Sequence, residues 1–456
     1  MKRSSADYRV AVVPVRLNGA SYTAAHQACH RAAGLWNHTL ATLRTRWDEV
    51  KTDPTTKELR HLAAASDPDL QRLHAHTKQA IVDDLLDAVA TSRANRGAGT
   101  RAPWREKNYR PLSFTKGYGW RITGDGRLNL SLGRNLPGIR LALPAVTDSR
   151  TNHGVPAADW GEIRLCWDRD GRSWSLHISH RTAATPVLDP ANIIAIDPGI
   201  INPMTIAVET PDAYEITVIN GRAARAIKHR RNNAVADLHR LMSRCTKGSR
   251  QWRRYNQAAK HARAHANSSL RNIDHQVSRK AADIAITHNA GTIAVGDVRG
   301  IEKNTAKAEK RRFGKDQRRR LSQWSRGRQD HYLAHKTGSK PTYTNESHSS
   351  KTCPACLTRN APSGRDYRCH HCGFTCHRDA VGALNILMRA THGKYTPIDP
   401  DKTIRVLYLR ATPLRAALSK ARNRATPRTG CVAENTVSHA AAAGPRAPAG
   451  EHSVAA

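Results

Sequence analysis

Two pairs of cysteines have the spacing of ligands to a single metal ion. Cys353-Pro-Ala-Cys356 and Cys369-His-His-Cys372 are separated by twelve residues. Each Cys-x2-Cys pair can present two thiolates to one ion, and four thiolates form the closed tetrahedral site of structural Zn²⁺. The sequence therefore predicts a zinc ribbon in which Cys353, Cys356, Cys369 and Cys372 hold the metal.

Three aspartates occupy positions from which they could hold a harder metal ion. Asp197 ends the apolar run Asn192–Ile196 and precedes a Pro-Gly turn. Asp297 follows the short apolar run Thr292–Val295, and Asp379 lies seven positions after the last cysteine of the second pair. Mg²⁺ prefers oxygen ligands, and two such ions can activate a water and stabilise the leaving oxygen of a phosphodiester. We therefore predict a catalytic magnesium site formed by these three aspartates.

Apolar runs place the aspartates on an α/β unit. The strand that ends at Asp197 is followed by two further strand-like runs, Asn202–Val208 and Ala213–Ile219. Two long basic stretches, Arg222–Leu241 and Ser249–Ile286, contain few helix breakers, and the second carries apolar residues at helical spacing. Three successive strands with an acid at the end of the first predict an RNase H-like sheet, against which the second stretch would pack.

The N-terminal part alternates between strand and helix patterns. Residues Tyr8–Leu17 predict a strand, and apolar residues at helical spacing predict one helix from Ser21 and a second over Pro68–Val89. Short strands follow a basic, glycine-rich loop, and alternating residues on both sides of Asp168-Arg-Asp-Gly171 predict a β-hairpin. We expect a β-rich unit that is interrupted by a helical insertion.

Four segments together carry a family resemblance. They are Asp197-Pro-Gly199, Val295-Gly-Asp-Val-Arg-Gly300, Ser350–Cys356 and His377–Ile386. These segments look like the split RuvC nuclease and zinc ribbon of the transposon-encoded TnpB family, whose descendants are the type V CRISPR effectors. The resemblance covers roughly residues 8 to 395. It implies an RNA-guided DNA endonuclease whose partners are a guide RNA and a target DNA and whose metal cofactors are Zn²⁺ and Mg²⁺.

The resemblance also implies how the chain is divided. The expected parts are a β-barrel-like wedge domain (1–20 and 94–188), a helical recognition domain within it (21–93), a RuvC-like nuclease domain (189–345 and 377–395), an inserted zinc ribbon (346–376) and a basic tail (396–456). The wedge and recognition domains would grip the guide RNA and read a short motif beside the target. The tail is rich in Ala, Pro and Arg, so we expect it to be largely disordered.

The middle carboxylate of the family differs in this sequence. In TnpB proteins it is usually a Glu immediately before an Asp, whereas this chain has Gly296-Asp297. Because side chains alternate across a strand, Asp297 would need a β-bulge to enter the site, and Gly296 would permit one. We predict that Asp297 is the working ligand and that Asp297→Ala abolishes cleavage while leaving DNA binding intact. Glu302 is the less favoured substitute.

Three other functions stay open on the sequence alone. Gly296 could mark a lost site, which would leave an RNA-guided, repressor-like protein that binds DNA without cutting it. The modest length also fits a miniature type V CRISPR effector. The third alternative is a zinc-ribbon DNA-binding protein that uses no guide RNA.

The composition indicates a nucleic-acid partner independently of the motifs. The chain has 74 Lys and Arg against 37 Asp and Glu, a formal charge of +37. Such an excess favours a polyanionic partner, which neutralises it. Segment 221–330 is especially basic, with 28 Lys and Arg against 8 Asp and Glu. The predicted nucleic-acid contacts are basic residues of this segment: Arg253, Arg254, Lys260, Arg263, Arg271, Arg318, Arg319 and Arg320.

The sequence argues against membrane insertion and secretion. It contains no run of about 18 apolar residues, and no apolar segment follows the basic N-terminus as in a signal peptide. Five of the nine cysteines lie outside the two pairs and are scattered, which suits a reducing compartment. We therefore expect a cytoplasmic protein that does not contact a membrane.

Overall fold

The computed structural model describes residues 8–50, 55–64, 67–95, 104–151, 153–182, 186–301, 314–411 and 435–437. The chain divides into two units, Met1–Ala184 and Thr185–Ala456. Both units mix helices with strands, as the sequence predicts. No helix within the described residues is both long enough and apolar enough to span a membrane.

The first unit combines two antiparallel sheets with a group of helices. Its elements are β1 (Tyr8–Val15), α1 (Gly19–Val50), α2 (Thr56–Ala64), α3 (Pro68–Gln71), α4 (Ala75–Ala94), β2 (Leu112–Phe114), β3 (Trp120–Ile122), β4 (Arg127–Leu130), β5 (Ile139–Ala142), β6 (Trp160–Asp168) and β7 (Ser173–Arg181). The sheets have the strand orders β1-β7-β6-β2 and β3-β4-β5. Strands β6 and β7 form the predicted hairpin, in which Asp168 pairs with Ser173.

The second unit contains one large sheet and the two cysteine pairs. Its elements are β8 (Asp189–Asp197), β9 (Met204–Glu209), β10 (Ala213–Asn220), α5 (Arg222–Met242), α6 (Arg250–Thr287), β11 (Ala290–Gly296), α7 (Lys315–Ser322), α8 (Arg326–Thr337), β12 (Thr342–Thr344), β13 (Asp366–Arg368), β14 (Thr375–His377), α9 (Arg378–His392), β15 (Thr403–Arg410) and β16 (Asn435–Val437). The large sheet has the strand order β12-β11-β8-β9-β10-β15-β16. Strands β8, β11 and β12 run parallel to one another, so their carboxyl ends meet at one edge.

Side-chain alternation along the central strands decides which residues reach which face of this sheet. Ile194 and Ile196 of β8 pack in the core on the α6 side, whereas Ala195 packs in the core on the α9 side. Because successive side chains of a strand point to opposite faces, Asp197 belongs to the α9 face. Val295 of β11 packs on the α6 side. The position that shares the α9 face with Asp197 is therefore Gly296.

The segment after α9 differs from the prediction of a disordered tail over 396–456. Within that range the structure has β15, which pairs in parallel with β10 from Ala213↔Thr403 to Asn220↔Arg410. Ile404 and Val406 are buried and alternate with exposed neighbours, which is the pattern of a strand. The Ala-, Pro- and Arg-rich composition of the predicted tail as a whole obscured this short strand pattern in the sequence. Residues 412–434 and 438–456 of the predicted tail lie outside the described residues.

A buried lysine is expected to make the stability of the second unit depend on pH. Lys336 of α8 is 2% exposed, and its Nζ donates to the carbonyl oxygen of His275 and to Oγ of Ser278, at 2.6 and 2.7 Å. Burial lowers the pKa of Lys336 to about 7. Between that value and the ordinary lysine pKa, the unfolded chain binds more protons than the folded one. Stability therefore rises with pH in that range.

We expect Lys336→Met to remove this part of the pH dependence. In the wild-type protein, this one group should raise the free energy of unfolding by up to about 1.4 kcal/mol per pH unit between about pH 8 and 10. Methionine has a similar length and carries no titrating group. Denaturant unfolding of both proteins at several pH values measures the difference between the slopes. Equal slopes would show that Lys336 titrates normally in the folded state.

Candidate active site

Asp197 is the last residue of β8 and lies against helix α9. The helix approaches so closely that a Cβ built at Gly382 would lie 2.5 Å from Asp197 Oδ2 and 3.0 Å from its Cγ. Glycine in a helix interior is less favourable than alanine by about 1 kcal/mol, so the packing of this carboxylate explains the glycine. Burial raises the pKa of Asp197 well above its ordinary value, and the charges of Glu346 and Asp379 raise it further.

Asp379 lies in the first turn of α9, within electrostatic reach of Asp197. Its backbone N–H donates to Nδ1 of His377, the residue that caps the helix, at 3.2 Å. Its Oδ2 accepts hydrogen bonds from Nδ2 of Asn202 at 2.7 Å and from the guanidinium of Arg365 at 3.0 Å. Arg365 belongs to the segment between the two cysteine pairs. The structure thus brings Asp197 and Asp379 together and ties the second of them to the cysteine-containing segment.

Asp297 does not join these two aspartates. It follows Gly296, and its carboxylate accepts hydrogen bonds from Nε and Nη2 of Arg299 at 2.8 and 2.7 Å. Those hydrogen bonds lower the pKa of Asp297 to about 2. The β-bulge that would turn Asp297 into the site is not found at this end of β11, where Gly296 pairs in register with Thr344. Asp297 lies just beyond the last residue of β11, where its charge acts on Glu346 and not on Asp197.

Glu346 lies where the third carboxylate was expected. It follows β12 by two residues, and a Cβ built at Gly296 would overlap its Oε2. Burial raises the pKa of Glu346 to about 7, and the charge of Asp297 acts in the same direction. The charges of Glu346 and Asp379 both act on Asp197, so the three carboxylates lie within electrostatic reach of one site. Among the described residues, only the four cysteines have ligand atoms that all lie within 4.8 Å of one another, so the carboxylates are spaced more widely than the thiols.

An open, polar pocket adjoins Glu346. Its volume is about 340 Å³, and its lining consists of Asp297, Asn345, Glu346, Ser347, His348, Ser349, Ser350 and Lys351. Hydroxyl groups and an ammonium group can donate hydrogen bonds to phosphate oxygens. The pocket therefore offers polar groups beside the carboxylates that could receive a phosphodiester.

Sequence reasoning missed Glu346, although a signal was present. The run Thr342-Tyr-Thr344 has high β propensity and is followed by an acid two positions later. A strand followed by an acid is the pattern that identified Asp197. Here the run is only three residues long and lies eight residues before the first cysteine pair. The pairing that brings β12 beside β11 cannot be read from it.

The four cysteines form a cluster that fits one metal ion. Their Sγ atoms all lie within 4.8 Å of one another, with 3.6 Å between Cys353 and Cys372 and between Cys356 and Cys369. Zn–S bonds of about 2.3 Å in a tetrahedron place two sulfurs about 3.8 Å apart. The four cysteines could therefore bind zinc with little rearrangement.

Loss of one of these thiols is expected to remove the metal. We expect about one zinc per chain in the wild-type protein and about none in Cys369→Ser, because a closed site needs all four ligands. Cys376→Ser is the matched control, since Cys376 is a partly buried thiol outside the cluster. Elemental analysis with thermal unfolding measures both effects. Full zinc content in Cys369→Ser would contradict the assignment of the ligands.

The basic residues predicted to contact nucleic acid lie on α6 and α7. They are Arg253, Arg254, Lys260, Arg263 and Arg271 of α6 and Arg318, Arg319 and Arg320 of α7. Five of the eight are exposed, whereas Lys260, Arg263 and Arg318 are half-buried. The guanidinium of Arg263 contacts Nε2 of His239 at 2.9 Å. Arg319 pairs with Asp316 at 3.2 Å. The exposed guanidinium groups are available to phosphates, and their contact with nucleic acid stays a prediction.

One segment of the chain matches the model of a known protein family. Residues 328–386 match the family model described as Cas12f1-like, TNB domain. For this segment, which contains both cysteine pairs, Glu346 and Asp379, the match confirms the resemblance to miniature type V effectors. Among curated proteins, none matches the chain.

Several solved structures are similar over most of the chain. A Cas12f1–sgRNA–target DNA complex matches with a TM-score of 0.49 and 14% identity, covering 80% of this chain and 82% of that one. A CRISPR–Cas12f ternary complex matches with a TM-score of 0.33 and 15% identity, covering 82% and 81%. CasPhi-2 (Cas12j) bound to crRNA matches with a TM-score of 0.36 and 11% identity, covering 86% and 99%. These are distant likenesses.

Proposed function

We propose that this protein is an RNA-guided DNA endonuclease that hydrolyses target DNA with divalent metal ions bound by Asp197, Glu346 and Asp379. The observation that carries the proposal is the convergence of these three carboxylates from the end of β8, the turn after β12 and the first turn of α9. The large sheet between α6 and α9 supports an RNase H-like, RuvC-type nuclease domain. The chemistry is then the hydrolysis of a phosphodiester bond.

The donor set suits Mg²⁺. Three carboxylates supply hard oxygen ligands. Burial and, in addition, the charges of Glu346 and Asp379 raise the pKa of Asp197, so a bound cation would stabilise its ionised form. When bound, such ions supply an activated water and stabilise the leaving oxygen. The chain's own groups hold the ligands in place, since Asn202 and Arg365 fix one oxygen of Asp379 by direct hydrogen bonds.

The nucleic-acid partners follow from charge and from the matched segment. A formal charge of +37 needs a polyanionic partner, and the exposed arginines of α6 lie on the unit that carries the carboxylates. The match of residues 328–386 to a domain of Cas12f1-like proteins supports a guide RNA and a target DNA as those partners. The four cysteines would hold a structural Zn²⁺ in the ribbon, and the wedge and recognition domains would lie in the first unit. We propose a cytoplasmic location, since the five cysteines outside the two pairs are scattered, which suits a reducing compartment.

A second candidate function is RNA-guided DNA binding without cleavage. The observation in its favour is Asp297, which Arg299 holds away from the other aspartates. Glu346 favours the nuclease. The second candidate function assumes that the site lacks a third carboxylate, and Glu346 supplies one.

Cleavage of a plasmid that carries a guide-matched target behind a randomised flanking motif tests the proposal. The protein is purified with RNA expressed from the sequence next to its own gene and assayed with and without Mg²⁺. We expect cutting that needs both the guide and the metal. Asp197→Ala should abolish it, while Asp212→Ala, an exposed acid at the turn between β9 and β10, should not. Guide-dependent binding without any cutting would favour the second candidate.

A further inference from the structure

The segment that carries Glu346 is fastened to helix α9 by one buried side chain. Nδ2 of Asn385 donates to the carbonyl oxygen of Ser349 at 2.6 Å and to that of Thr352 at 2.8 Å. Asn385 is 0% exposed, and both acceptor residues are buried. A buried carbonyl oxygen without a donor is costly, so these two hydrogen bonds hold the turn 346–352 at a defined position on the helix.

The same helix contacts the other two carboxylates. Asp379 stands in its first turn, Gly382 one turn later makes room for Asp197, and Asn385 follows after a further three residues. Residues three apart share a helix face. One face of α9 thus bears one carboxylate, packs against the second and fastens the turn that carries the third.

Position 296 is shaped by the same arrangement. A Cβ there would overlap Oε2 of Glu346 and would lie 2.9 Å from Cδ1 of Ile386, the neighbour of Asn385 on α9. Strands β11 and β12 are paired in parallel, with Gly296 opposite Thr344. The carboxylate of Glu346 therefore occupies the volume that a side chain at position 296 would fill. Glu346 reaches this volume from the turn that follows the neighbouring strand, β12.

We infer that Asn385 is a positioning residue for Glu346. We also infer that a glutamate at position 296 of β11 could supply the metal-binding carboxylate in place of Glu346. The inference rests on the proposed function, in which Glu346 is a metal ligand. Asn385 acts through the backbone of the turn 346–352 and touches no reacting atom. Replacing Asn385 should therefore have little effect on cleavage when the third carboxylate comes from position 296 and not from the turn 346–352.

Moving the third carboxylate from position 346 to position 296 tests the role of Asn385 directly. Glu346→Ala is expected to lose cleavage, and Gly296→Glu alone is expected to impair it, because two glutamates then compete for one volume. The double variant Gly296→Glu/Glu346→Ala should regain cleavage, to within about tenfold of wild type. Asn385→Ala should slow wild-type cleavage by about 10- to 100-fold at limiting Mg²⁺, the cost usual for residues that orient metal ligands. In the double variant the same substitution should change the rate less than about threefold.

Binding of Mn²⁺ to the protein without nucleic acid, followed by electron paramagnetic resonance, supplies a readout that does not need cleavage. Asn385→Ala should weaken Mn²⁺ binding by about tenfold or more in the wild-type background and by less than about twofold in the double variant. Gln329→Ala is the matched control, since Gln329 of α8 is a buried amide that donates to the carboxylate of Asp274 on α6. It should leave Mn²⁺ affinity unchanged. Asn385→Ser replaces Asn385→Ala if the alanine variant does not fold.

The possible failures are distinguishable. If Asn385→Ala harms both backgrounds equally, its role is structural and the inference is wrong, while the nuclease proposal stands. If the double variant folds, keeps its zinc and neither binds Mn²⁺ nor cuts, position 296 cannot seat the carboxylate. If no variant or wild-type protein cuts but the pattern of Mn²⁺ affinities is as expected, the inference about position holds and the proposed function fails.

Discussion

Glu346→Gln is expected to slow guide-dependent cleavage by more than about 100-fold, whereas Asp297→Asn should leave the rate within about threefold of wild type. Both substitutions remove one negative charge and keep the shape of the side chain. Only Glu346 lies within reach of Asp197 on the α9 face, while Asp297 is held by Arg299. Residues that merely orient a metal ligand already cost about 10- to 100-fold when they are replaced, so loss of a ligand should cost more.

Single-turnover cleavage at saturating guide and target measures this pair of variants. Gel-shift binding of the target should be unchanged in both, since neither residue belongs to the predicted contacts of α6 and α7. The reverse order, with Asp297→Asn inactive and Glu346→Gln active, would show that Asp297 replaces Glu346 when nucleic acid is bound. It would also bear out the sequence-based prediction for Asp297.

The difference between these two acids shows what the sequence could and could not reveal. The apolar run before Asp197 predicts its strand, and alternation along that run predicts its face. The same rule, applied to β11, means that Asp297 would need a β-bulge to share the face of Asp197, and Gly296 pairs with Thr344 without one. Local pattern was therefore sufficient to doubt Asp297.

It was not sufficient to find Glu346. That residue reaches the site because β12 pairs with β11, a contact between segments about fifty positions apart in the chain. No propensity of Thr342–Thr344 encodes which strand it will join. The long helices were easier to predict, since the stretches that form α5 and α6 each run for about twenty residues or more with few helix breakers. The structure places both helices within one residue of the predicted bounds. The parallel pairing of β15 with β10 was missed for the same reason as Glu346.

Gly382→Ala is the second substitution with a large expected effect, because it adds one methyl group at the closest approach of α9 to Asp197. The new Cβ would lie 2.5 Å from Oδ2 and 3.0 Å from Cγ of Asp197, so the carboxylate has to turn away from Asp379 and Glu346. We expect cleavage to fall by more than about 100-fold and Mn²⁺ affinity by about tenfold or more, as for loss of an oriented ligand.

The fold should tolerate this change, and that separates the effect on the site from unfolding. Alanine in a helix interior is favoured over glycine by about 1 kcal/mol, which offsets part of the cost of moving one carboxylate. Gly327→Ala in α8 is the matched control, since a Cβ there meets no atom within 4 Å and should leave cleavage unchanged. Thermal unfolding of both variants should stay within a few degrees of wild type. Normal cleavage by Gly382→Ala would show that α9 does not approach the carboxylate of Asp197 as closely as the structure has it. The position of β8 relative to α9, and with it the three-carboxylate site, would then be wrong.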